Sequence, residues 1–96
     1  MEVSVLITSC TRDEYGIEKE YVTLWSGVMS QLPRLGDRIA GYPVKGVNHL
    51  RIGALHWVEV EVHGSAKWRT PEQAAEEYRR RLTDVMDRME RCRSRM

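Results

Sequence analysis

The sequence has no phenylalanine, two cysteines, three prolines and no apolar run long enough to span a bilayer. Each shortage excludes something. Without a long apolar stretch there is no candidate for a membrane-spanning helix, so no membrane partner is expected. Two cysteines cannot form the dense disulfide framework of a small secreted domain, and no CxxC pair occurs. Cys10, Cys92 and three scattered histidines fall short of a zinc ligand set, so neither a metal nor a cofactor is expected. The opening Met-Glu-Val-Ser-Val lacks the basic start and apolar core of a secretory signal, and the reading is a cytoplasmic protein with reduced thiols. An excess of charge of either sign is also lacking. Fifteen Lys and Arg against fourteen Asp and Glu leave +1, so overall electrostatics point to no partner.

What is present fits one domain. Ninety-six residues with 42% apolar and 30% charged content match an ordinary globular chain, with three Trp and four Tyr supplying the aromatic bulk. Residues 1–64 read as an antiparallel sheet of four to five strands. Val3, Val5 and Ile7 alternate with Glu2, Ser4 and Leu6. A polar turn over 12–16 leads to a long second strand from Ile17 to about Leu32, with Gly27 a candidate bend or bulge. In "LPRLGDRI", Pro33 cannot donate to a ladder and Gly36-Asp37 turns the chain. "YPVKGVNHLRI" and "LHWVEVEVH" then flank Gly53-Ala54. The second has the cleanest period in the chain: His56, Val58, Val60 and Val62 share one face, and Trp57, Glu59, Glu61 and His63 the other.

After a linker over 65–70, the helix begins with clear signals and is predicted over 71–96. Thr70 is the N-cap, Pro71 suits the first helical position and Gln73 completes a capping box. Ala75, Tyr78, Leu82, Val85, Met89, Cys92 and Met96 recur at alternating steps of three and four, and Met86 widens this stripe. The flanking e and g positions are Arg79, Arg81, Met86, Arg88, Arg93 and Arg95. A two-stranded homodimer would set arginine against arginine in either orientation. The stripe is therefore expected to cover the chain's own sheet. A helix of roughly 23 residues is about 35 Å long, against about 20 Å for a six-residue strand, so its last turns can project.

The fold class expected is α+β: a curled antiparallel sheet followed by one long C-terminal helix. Two candidate surfaces follow. Met89, Arg91, Arg93 and Arg95 form an adaptable apolar patch edged with positive charge, suited to a protein partner. Trp57 and His63, with His49 and Arg51 placed opposite them, form a mixed aromatic and charged sheet surface for a small ligand. The seven-residue spacing of His49, His56 and His63 reverses face on a regular strand and builds no metal site. No nucleophile elbow or catalytic signature is present, and no enzyme is expected. A nucleic-acid partner ranks lower, because the helix segment sets six acids against its seven arginines.

"LPRLGDRI…VKGVNHLRIGALHWVEVEV" resembles a pattern in small proteins of bacteriophages and mobile elements. Pro33, Gly36, Asp37, Val44, Val47 and His49 carry the likeness over about a third of the chain. The resemblance implies a small curled β-sheet and a phage-encoded binding protein, one that inhibits a host defence protein or sequesters a signalling nucleotide. The expected function is thus non-catalytic binding of a host component, with a host protein or a small nucleotide as the partner and homo-oligomerisation left open. The alternatives are a small enzyme using a His and a carboxylate on the sheet face, and a nucleic-acid-binding protein.

Overall fold

The computed structural model describes residues 2–94, with the backbone alone at 93 and 94. Five strands precede one helix: β1 (Val3–Arg12), β2 (Glu18–Met29), β3 (Arg38–Ile39), β4 (Tyr42–Ile52), β5 (Leu55–Val62) and α1 (Pro71–Ser94). The strands form one curled sheet in the order β2-β1-β5-β4-β3.

The sheet is mixed, which corrects the expectation of a purely antiparallel one. β1 pairs with β5 in parallel, Val5 beside Val58 and Ile7 beside Val60. The reason is topological. The β1–β2 hairpin and the β3–β4–β5 meander are each antiparallel. The chain leaves β2 at one edge and begins β3 at the other, so the meander runs inward until its last strand meets β1. The seam between the two units comes out parallel, as a crossover permits. The crossing segment turns at Arg34–Asp37, where the Asp37 N–H donates to the Arg34 carbonyl (3.0 Å) and the Arg34 N–H donates to the Asp37 carboxylate (2.9 Å).

Alternation builds the core. Val5 and Ile7 of β1, Val58, Val60 and Val62 of β5, and Val44 of β4 are buried on the inner face. Ser9 and Thr11 continue the inward row of β1, and the Ser9 hydroxyl donates to the Val62 carbonyl (3.0 Å), which makes its burial tolerable. The bulge in β2 falls opposite Ile7 and Thr8 and buries Leu24. Gly27 serves a different purpose from the bend or bulge expected of it: a Cβ there would lie 2.5 Å from the Trp25 ring, which packs against the glycine.

The helix starts as its sequence indicates. The Gln73 N–H donates to the Thr70 hydroxyl (3.3 Å), and the Gln73 side chain accepts from the Arg69 N–H (2.8 Å), one residue before the usual capping-box donor. α1 packs on β2 and, less extensively, on β1. Ala74 and Tyr78 are buried, and Tyr78 joins Tyr42 and Trp68 in an aromatic cluster with centroids 5.4 and 6.0 Å apart.

The β3–β4 connection holds one strained residue. Ala40 and Gly41 both take positive φ, 51° and 87°, as a two-residue type I′ hairpin turn requires. Alanine in this region pays roughly 1–2 kcal/mol that glycine and asparagine avoid. Ala40→Asn is therefore expected to stabilise the fold by about 1 kcal/mol in chemical denaturation, while Gly41→Ala, whose Cβ would also approach Arg81, is expected to destabilise it.

Candidate functional site

α1 outruns its support. Leu82 and Val85 are half-buried, and every residue from Met86 to Cys92 is exposed. The a/d stripe does not stop where the burial stops. Val85, Met89 and Cys92 line an open, largely apolar groove of about 430 Å³ with Arg88 on its edge. Met86 and Met89 are 57% and 56% exposed. Twenty-four residues make a helix about 36 Å long, and its burial ends at Val85.

The arginines on this helix divide into two groups. Arg81 lies over the Tyr42 ring, 5.1 Å from its centroid, and so serves the chain's own core. Arg80 pairs with Glu76 at 3.9 Å on the exposed side, a contact worth little. Arg88 makes no ion pair among the described residues, and Arg91 is exposed beyond it. Of the partner-facing residues expected from the sequence, Met89 and Arg91 stand on the projecting segment. The side chain of Arg93 and the whole of Arg95 lie outside the described residues.

The expected small-ligand set is divided by the sheet. β4 and β5 turn at Gly53-Ala54, with Ile52 facing Leu55, and this pairs His49 with Val58 and Arg51 with His56. His49 and Arg51 therefore share the inner face with the valines. Trp57 pairs with Leu50 on the outer face, and His63 follows on the same side six residues along, about 20 Å away. The four residues do not converge on one site.

The outer face carries its own polar network. Lys45 pairs with Glu61 (3.3 Å) and Glu18 (3.6 Å). Partial burial by itself would push the Lys45 ammonium down, but the contacts with Glu61 and Glu18 outweigh it and hold the group above its ordinary range. Glu61 chiefly pushes the Tyr21 phenol up. Tyr21, Thr8, Thr23, Asn48, Glu59 and Glu61 surround a hollow of about 370 Å³. Cross-strand charge pairing accounts for most of this arrangement.

On the inner face, His49 and His56 stack with centroids 5.5 Å apart and planes 15° apart, and Nδ1 of one lies 3.3 Å from Nε2 of the other. A cavity of about 520 Å³ is lined by His49 together with Val3, Ser30, Leu32, Pro33, Arg34 and Val47. Sequence reasoning missed Arg34 and the joining of His49 to His56. The usable signal was the two-residue turn at Gly53-Ala54, which sets the register and with it the faces of β4 from Gly46 to Ile52.

Among the described residues, no group of three or more His, Cys, Asp or Glu could hold a metal ion. No helix is long and apolar enough to cross a membrane among those residues. Compared with protein-family models, curated proteins and solved structures, the chain matches none.

Proposed function

We propose that this chain is a non-catalytic binding protein that docks an acidic-edged amphipathic helix of a partner protein through the distal half of α1. One observation carries the reading: an a/d stripe that continues through Met89 and Cys92, both exposed, past Val85, the last half-buried residue of the helix. A stripe kept in register beyond its own core is suited to a second helix. The segment 88–96 holds four arginines against one glutamate, so acids on the facing flanks complement it. A second copy brings arginine to arginine and is disfavoured. The resemblance to phage and mobile-element proteins makes a host protein the fitting partner, a defence component among them.

The probe is a synthetic amphipathic helix with Leu at a and d and Glu at e and g, beside the same peptide with Lys in place of Glu. The Glu peptide is expected to bind at least tenfold more tightly, as monitored by fluorescence anisotropy. Met89→Ser is expected to weaken it by on the order of 30-fold, the scale of an interface hot spot. Stability should not change, because Met89 is already exposed. Equal binding of the two peptides, or sedimentation as a dimer that Met89→Ser dissociates, would refute the reading. Binding of duplex DNA in preference to the Glu peptide would do the same.

A further inference from the structure

We infer that the uncovered end of the inner sheet face is a binding site for a small organic phosphate. None of the residues lining the cavity there belongs to α1, so this is independent of helix docking.

Three features converge on it. The first is charge. Arg34 lines the cavity, and Arg51 stands directly across from His56 on the same face, exposed. Neither arginine has an ion pair among the described residues. The acid nearest in the chain, Asp37, is held in the turn by accepting the Arg34 backbone N–H (2.9 Å). Arg34 and His49 line the cavity together, with His56 and Arg51 on the same sheet face as His49, and such a set of guanidinium and imidazole groups is matched by a dianion that accepts several hydrogen bonds.

The second is the imidazole pair. Nδ1 of His49 and Nε2 of His56 lie 3.3 Å apart, so the pair can share one proton and present a further N–H to an incoming acceptor. That separation also suits two ligands on a tetrahedral zinc with bonds of about 2.0–2.1 Å. The local charge decides between them. Arg51 and Arg34 on the same surface repel a divalent cation and attract an anion.

The third is shape. Val3, Leu32 and Val47 give the cavity apolar walls, and Ser30 adds a hydroxyl. At about 520 Å³ it lies in the ordinary range for small-molecule sites. A phosphate at the Arg34–His49 side leaves an apolar or ring portion to lie against the valines and Leu32. An organic phosphate fits this division better than inorganic phosphate does.

The test is an amide-resolved NMR titration of the whole chain with phenyl phosphate, inorganic phosphate and uncharged phenol. Phenyl phosphate is expected to give saturable shifts at Ser30, Leu32, Arg34, Val47 and His49, with half-saturation near or below about 1 mM. Inorganic phosphate should move the same amides more weakly. Arg34→Gln and His49→Gln should each weaken phenyl phosphate by about tenfold, a loss of one charge-assisted contact, while Arg91→Gln leaves it unchanged. All three are substitutions of exposed side chains, and the same spectra report whether the fold is kept. No saturable shift up to about 10 mM overturns the proposal. So do equal shifts from phenol, or shifts confined to the Trp57 face. A response of His49 and His56 to zinc without any response to phenyl phosphate overturns it in favour of a metal site.

Discussion

Trp68→Ala is expected to cost roughly 3–5 kcal/mol, the range for emptying a buried tryptophan site. For a chain of this size that lowers the unfolding temperature by on the order of 20 °C and removes a large share of the whole stability. Trp68 is 2% exposed and sits where sheet, linker and helix meet. Its ring lies against Tyr42 and directly over Gly64, where any Cβ would overlap the ring and press within 2.7 Å of the Ser9 hydroxyl. Its indole N–H donates to the Glu77 carboxylate on α1, and its carbonyl accepts from the Arg12 N–H of β1 (3.2 Å). Truncation leaves a cavity and an uncompensated carboxylate together. Two companions separate these effects. Trp68→Phe keeps a ring and loses the donor, and about 1–3 kcal/mol of the cost should remain. Gly64→Ala keeps the indole but pushes it from its seat, and should approach the cost of Trp68→Ala. Urea denaturation of the three variants checks the order. A loss under about 1 kcal/mol for Trp68→Ala would mean that the helix is not anchored by this residue.

The importance of Trp68 was not legible in the sequence, and the reason is physical. It stands in a short polar stretch, "GSAKWRT", where neither a helical nor a strand period places it on a face. Its burial follows from the approach of Tyr42, which is distant in the chain. The period-two pattern of β5 was legible, because one face buried and one face wet leaves only one arrangement of "VEVEV". The capping signals of α1 were legible for the same reason: they are local and depend on hydrogen bonds within a few residues.

Pairing between distant strands was not legible. Nothing in β1 or β5 distinguishes a parallel neighbour from an antiparallel one, since both are rich in β-branched residues and both are central. The face of His49 and Arg51 is a different case. With Ile52 facing Leu55 across a two-residue turn, Trp57 must face Leu50, and Val47, His49 and Arg51 of β4 fall on the other side. Placing His49 and Arg51 opposite Trp57 shifts the hairpin by one residue, which turns every side chain over. The same parity brings His49 to His56 and so assembles the cavity end of the inner face. The projecting helix was legible in length and stripe, yet where its cover ends depends on the sheet's curl, which acts through long-range contacts.

Raising the pH from 10 to 12 is expected to destabilise the fold steeply, with Tyr78 the main cause. Burial, and after it the neighbouring Tyr42, pushes the Tyr78 phenol up to about 12 from 10.0. The folded state therefore holds the proton more tightly than the unfolded chain. The stability linked to this residue is complete below pH 10, where both states are protonated. It is lost as the pH climbs to about 12, because the unfolded chain ionises first. Two pH units correspond to about 2.7 kcal/mol, and partial screening near the hydroxyl reduces this to on the order of 2 kcal/mol. Tyr42 acts in the same direction. Burial and then Glu77 raise it, and Arg81 over its ring opposes them. Lys45 adds to the loss, since it is also held above its ordinary range and its ion pairs with Glu61 and Glu18 vanish when it deprotonates. Tyr78→Phe isolates the main contribution. The variant should keep the ring packing against Tyr42, remove the titration, and flatten the alkaline limb of stability between pH 10 and 12. Tyr15→Phe, at a site 80% exposed, should leave that limb as it is. Urea midpoints measured at half-unit steps across the window decide the matter. Parallel limbs for the native chain and Tyr78→Phe would assign the alkaline loss to Lys45 and Tyr42 instead.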